Sequence, residues 1–84
     1  MKITAVIVED LSVAAEVLDR YCQKSGRVQV IHRFESVEEA LPFLTEQVVD
    51  LIFLDVEMPG ASGFDLLDKL SYSPQVILTT SKTE

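Results

Sequence analysis

Four short apolar runs, set apart by segments of helical period, constrain this chain more than any other feature. They are "ITAVIV" at residues 3–8, "VQVIHRF" at 28–34, "VDLIFLD" at 49–55 and "QVILTT" at 75–80. Each is strand-length, and the first and third are apolar at consecutive positions, as in strands covered on both faces. The second is less apolar and belongs nearer a sheet edge.

Between the runs the period changes to three and four. Leu11, Ala14, Leu18 and Tyr21, with Val17 beside them, predict a helix over 11–23 that ends at Ser25-Gly26. Ser36 followed by Glu39 is a capping-box pattern, and it opens a second helix with Val37, Ala40, Leu41 and Leu44 on one face. Pro42 lies past the first turn, where a kink or a short helix is expected. A third helix runs from a Ser62 cap to about Leu70, with Phe64, Leu67 and Leu70 inward. The order β-α-β-α-β-α-β predicts an α/β fold: a parallel sheet with right-handed crossovers and helices on both faces.

Composition narrows the function. Eighty-four residues make one small domain at most, and 48% hydrophobic content excludes a disordered chain. Seven basic residues stand against 14 acidic ones, a net charge of −7, so these residues offer no surface for direct nucleic-acid contact. The single Cys22 reads as a packed helix residue, and His32 as an ordinary strand residue without a partner at metal-ligand spacing. No apolar run is long enough to span a membrane, and "MKITAVIVED" reaches an acidic pair too early for a signal peptide. A cytoplasmic location is the expectation.

Ligands of such sheets bind outside the carboxyl ends of the strands. The first strand closes with Glu9-Asp10, the third with Asp55 and the fourth with Thr79-Thr80. Three carboxylates and a hydroxyl pair should therefore converge on one edge. Crowded carboxylates repel, and at least one should have a raised pKa. A hard cation relieves the conflict, and Mg²⁺ favours one or two carboxylates plus phosphate oxygens. A cation so held could neutralise a phosphoryl group as it meets a carboxylate nucleophile. Any one of these features is commonly a turn, a cap or a β-former; their combination at successive strand ends carries the reading.

The segments "VIVED", "LIFLDVEMPGASGFDLL" and "VILTTS" together resemble a response-regulator receiver domain of two-component signalling. The resemblance covers nearly the whole chain and implies a flavodoxin-like, three-layer α/β/α fold with strand order 2-1-3-4 in residues 1–84. It implies that Asp55 is the phosphoacceptor and Thr80, followed by Ser81, the switch hydroxyl. Asp10 would be the direct Mg²⁺ ligand, Glu9 would act through metal-bound water, and Glu57 would coordinate through its backbone carbonyl. Met58-Pro59-Gly60 and Gly63 would shape the loop beyond Asp55. The implied partner is a sensor histidine kinase, and the chain is expected to be no enzyme beyond weak self-phosphorylation and autodephosphorylation.

The family's fourth helix, its fifth strand with a terminal Lys, and its fifth helix have no counterpart in these residues, and Lys82 does not match that Lys. Strand four is then expected at an edge, favouring a homodimer or larger assembly on that side and not on the helix-one side. Three other readings compete. A phosphatase of the haloacid dehalogenase type needs a second Asp where Glu57 stands, and a flavodoxin-type cofactor module needs a phosphate loop where Glu9-Asp10-Leu11 stands. The serious rival is a structural or dimerising receiver-like module that no longer signals by phosphorylation.

Overall fold

The architecture is a four-stranded parallel sheet in the order β2-β1-β3-β4, with helices on both faces. The computed structural model describes residues 2–56 and 63–79. In chain order the elements are β1 (Ile3–Val8), α1 (Ser12–Ser25), β2 (Val28–Phe34), α2 (Val37–Glu46), β3 (Leu51–Asp55), α3 (Gly63–Asp68) and β4 (Gln75–Thr79). Every strand and helix expected from the sequence is present, and the strand order is the expected one.

Two cores form, one on each face of the sheet. Val6, Val8, Ile52 and Leu54 meet Val37, Ala40 and Leu44 of α2 and Leu66 of α3. Ala5, Ile7, Leu51 and Phe53 meet Ala15 and Cys22 of α1. The period-2 alternation of β1 and β3 thus serves both layers, which is why their runs are apolar at consecutive positions. Cys22 is buried as expected, and burial pushes its thiol pKa upward, with Asp19 adding to the effect.

Strand β2 changes phase within its length. Ala5 pairs with Val30, but Val6 pairs with His32, leaving Ile31 as an extra residue. Such a bulge exchanges the faces of everything that follows. Val28 and Val30 accordingly pack on the α1 side, whereas Ile31 and Phe34 pack on the α2 side. His32 stacks on Phe34 with ring centroids 4.3 Å apart. Arg33 is turned toward α1, where its Nη1 lies 3.3 Å from Oε1 of Glu16.

Helix α2 opens at the expected cap and runs through Pro42 to Glu46, longer than the short helix expected there. The Ser36 hydroxyl accepts from the Glu39 N–H at 3.1 Å, and Pro42 is held within the helix. Two helices correct the expected faces. On α1 the inward residues are Ala15, Leu18 and Cys22, while Leu11, Val17 and Tyr21 are exposed. The N-terminal half of α1 carries small or apolar residues on several sides, and a second row of the same period, Ala15, Leu18 and Cys22, takes the sheet face. On α3 Phe64 is exposed and Leu66 is fully buried, with Leu67 and Leu70 packed against the core. Helix α3 ends at Asp68, short of Leu70, and the expected Ser62 cap lies outside the described residues.

Strand β4 has one neighbour among the described strands, β3, and its Ile77 and Leu78 are each about half exposed, at 47% and 50%.

Candidate functional site

Glu9, Asp10 and Asp55 come together at the carboxyl edge of the sheet. One carboxylate oxygen from each lies within 4.8 Å of the others. Strand register is the cause. Val8 pairs with Leu54, so the next residue of each chain segment, Glu9 and Asp55, falls at one level. The Glu9 N–H donates to the Phe34 carbonyl at 2.9 Å, which carries the sheet hydrogen bonding one residue past β1. Alternation then turns both side chains to the face shared by Ala5, Ile7, Leu51 and Phe53.

Both carboxyls are buried, Glu9 at 2% and Asp55 at 1% relative exposure. Burial, followed by hydrogen bonding to Asp55, pushes the Glu9 pKa up to about 7, against a pull downward from the Leu11 N–H. That N–H donates to Oε2 of Glu9 at 3.2 Å. The contact serves the start of α1, whose Leu11 N-cap has no side-chain hydrogen bond of its own. The Asp10 Oδ1 atom is buried with no hydrogen-bond partner among the described residues. An acceptor left in that condition beside two other carboxyls suits a hard divalent cation, for which oxygen ligands at this spacing are the appropriate set.

Opposite Asp55, the β3–β4 register places Thr79, and the Val56 N–H donates to the Thr79 carbonyl at 3.0 Å. The Thr79 Oγ1 is likewise buried with no hydrogen-bond partner among the described residues. The resemblance favours Thr80, followed by the small residue Ser81, over Thr79 as the switch hydroxyl. Glu57 and Thr80, with Met58-Pro59-Gly60, Ser81 and Lys82, lie outside the described residues.

Fold and acidic edge together define a parallel α/β module with its carboxylates at the strand ends, and comparison with known proteins gives the family. Residues 5–84 match the response regulator receiver domain. The chain belongs to that family. It is 33% identical over 79 residues to the sensory transduction protein LytT of Enterococcus faecalis, covering 90% of this chain and 33% of LytT. It is 31% identical over 81 residues to a response regulatory protein of Vibrio cholerae, covering 94% of this chain and 34% of the relative. Among solved structures, the MaeR response regulator bound to beryllium trifluoride superposes with a TM-score of 0.82 at 28% identity, over 100% of this chain and 70% of MaeR. The chain therefore spans about a third of the length of the curated relatives it matches. Among the described residues no helix is long and apolar enough to cross a membrane.

Proposed function

We propose that residues 1–84 act as a phosphoacceptor module, the N-terminal part of one receiver domain, in which Asp55 takes up a phosphoryl group with Mg²⁺. The observation that carries this is the convergence of Glu9, Asp10 and Asp55 within 4.8 Å at the edge where this fold displays its chemistry. Glu9, Asp10 and Asp55, with the Glu57 carbonyl, would hold the cation, which would supply neutralising charge for the incoming phosphoryl group.

The residues themselves do the rest. An Asp55 carboxylate oxygen attacks phosphorus, an O–P bond forms, and the bond from phosphorus to the donor's leaving group breaks. The leaving group departs with that electron pair, and Asp55 becomes an acyl phosphate. Thr80 is retained as the switch hydroxyl implied by the family, and the physiological donor as a sensor histidine kinase in the cytoplasm. That LytT is named a sensory transduction protein and MaeR binds beryllium trifluoride, a phosphoryl mimic, supports the reading. Self-association through the β4 side is the second part of the proposal, supported by half-exposed Ile77 and Leu78.

The test is intact-mass analysis after incubation with Mg²⁺ and acetyl phosphate. One phosphoryl group should appear on wild type and none on Asp55→Asn. Label elsewhere, or equal label on the Asn variant, removes Asp55 from the role. No label on folded wild type favours the module that no longer signals by phosphorylation.

A further inference from the structure

The apolar runs of β1 and β3 leave their mutual alignment open. Ala5-Val6-Ile7-Val8 stands against Leu51-Ile52-Phe53-Leu54, apolar residue against apolar residue. A strand with one polar face resists a one-residue slip, because the slip carries its apolar side chains into water. Runs that are apolar on both faces lack that safeguard. On its other side β1 pairs with β2 across a bulge, so that neighbour does not impose a single alignment either. The acidic site depends on the answer. A slip of one residue would move Asp55 about 3.3 Å along the strand relative to Glu9 and set the two side chains on opposite faces.

The alignment is fixed at the amino edge of the sheet. There the Thr4 N–H and hydroxyl both donate to Oδ2 of Asp50, at 3.0 and 3.1 Å. The Asp50 N–H donates in return to the Thr4 hydroxyl oxygen at 3.2 Å and to the Thr4 carbonyl at 3.1 Å. The Asp50 carbonyl accepts from the Gln75 N–H at 3.0 Å, which brings β4 to the same level. A one-residue slip would set Val49 or Leu51 against Thr4, and neither offers a side-chain acceptor. Glu9 lies five residues after Thr4, and Asp55 lies five residues after Asp50. Pairing the first two therefore sets the second two level, about 17 Å further along the sheet.

We propose that Thr4 and Asp50 are positioning residues for the acidic site, a register clamp that holds Glu9, Asp10 and Asp55 within reach of one cation. The inference deepens the phosphoacceptor reading of Asp55 and rests on it for its functional consequence. Neither residue touches the cation or the phosphoryl group; both act through the alignment of β1 with β3. Since the apolar cores accept neighbouring registers, loss of the clamp lowers the share of folded molecules whose site is complete.

The experiment compares wild type with Thr4→Val, Thr4→Ser, Asp50→Ala and Asp50→Asn. Tyr72→Phe is the control, because it loses hydroxyl contacts to α2 and none to β1 or β3. Backbone nuclear Overhauser contacts report register, Mg²⁺ titration reports the site, and acetyl phosphate labelling reports the chemistry. Thr4→Val and Asp50→Ala should weaken the native Ala5–Leu51 and Val8–Leu54 contacts. Their apparent Mg²⁺ dissociation constants should rise about threefold to tenfold, the factor by which the complete site is depopulated. Labelling should slow in proportion. Thr4→Ser should recover all three readouts, and Tyr72→Phe should leave them at wild-type values. Should Asp50→Ala or Thr4→Val fail to fold, Asp50→Asn, which keeps one acceptor oxygen, should show the same change at smaller size. Native strand contacts with wild-type Mg²⁺ affinity in the folded variants overturn the inference. So does no recovery in Thr4→Ser, or an equal loss of affinity in Tyr72→Phe. A folded wild type that neither binds Mg²⁺ nor takes label overturns the reading of Asp55, and the strand contacts then decide the clamp by themselves.

Discussion

Glu9 and Asp55, buried side by side at the ends of β1 and β3, hold the Glu9 carboxyl protonated up to a pH of about 7. Burial makes ionisation of Glu9 costly, and the neighbouring Asp55 adds to that cost.

A pH dependence of stability follows, with a definite sign. Glu9 in the folded chain binds its proton more tightly than in the unfolded chain, where the ordinary value is 4.5. Its contribution is complete below about pH 4.5 and is lost as pH rises through about 7. The loss is on the order of 3 kcal/mol when the whole shift is counted. Denaturant unfolding in a chelator at pH 5, 6, 7 and 8 should show stability falling across this window in wild type. Glu9→Gln should remove most of that slope. Parallel profiles for the two proteins would exclude Glu9 as the source.

A divalent cation should reverse the trend, because it favours the ionised Glu9 carboxylate. At pH 8, Mg²⁺ at a hundredfold its dissociation constant should add about 2.7 kcal/mol. At pH 5 the cation competes with the Glu9 proton, and its effect should be smaller. Asp10→Ala removes a proposed ligand whose Oδ1 is buried with no hydrogen-bond partner among the described residues, and should abolish most of the response. Thermal melts with and without Mg²⁺ at both pH values check this. A Mg²⁺ effect that persists in Asp10→Ala would place the ion elsewhere.

Much of this was legible from residue order, because strand-end positions follow from where an apolar run stops. Glu9, Asp10 and Asp55 each follow or close such a run, and parallel strands bring the ends together. What was not legible depends on register or on competition between faces. The Ile31 bulge exchanges the faces of Arg33 and Phe34, and nothing in "VQVIHRF" marks it. The pairing of Thr79 with Asp55 is likewise a matter of register. On α1, Ala15 and Cys22 face the sheet in place of Ala14 and Tyr21, since apolar residues occupy two rows of the same period and spacing alone does not choose between them. On α3, spacing by three favoured Phe64 where burial selects Leu66.

The connection before β4 is fastened to α2 by one side chain. The Tyr72 hydroxyl lies 3.1 Å from the carbonyls of both Leu44 and Gln47, at the end of α2 where carbonyls lack intrahelical partners. Tyr72→Phe should lower stability by about 1 kcal/mol with little change in packing. Leu44→Ala, which empties a fully buried position, should cost about 2–5 kcal/mol. Equilibrium unfolding of the two variants gives the comparison. A Tyr72→Phe loss as large as that of Leu44→Ala would mean that the hydroxyl organises more than the helix end.

The 84 residues expressed alone should self-associate through β4. In the described sheet β4 has β3 as its one neighbour, leaving ladder donors and acceptors along its other side. Ile77 and Leu78 point to opposite faces and are each about half exposed, so neither face of the strand is fully covered. At about 25 cal/mol per Å² of apolar area, closing even one face contributes several kcal/mol to association. Tyr21 and Val13 on α1 are also exposed, at 68% and 75%, which offers a competing site on the far side of the molecule. Light scattering over a concentration series should therefore be run on wild type, Ile77→Lys and Tyr21→Lys. A charge on β4 should return the protein to monomer, while the same charge on α1 should leave the assembly intact. The opposite pattern would move the interface to α1, and a wild type that stays monomeric and folded throughout would show that β4 does not recruit a second copy.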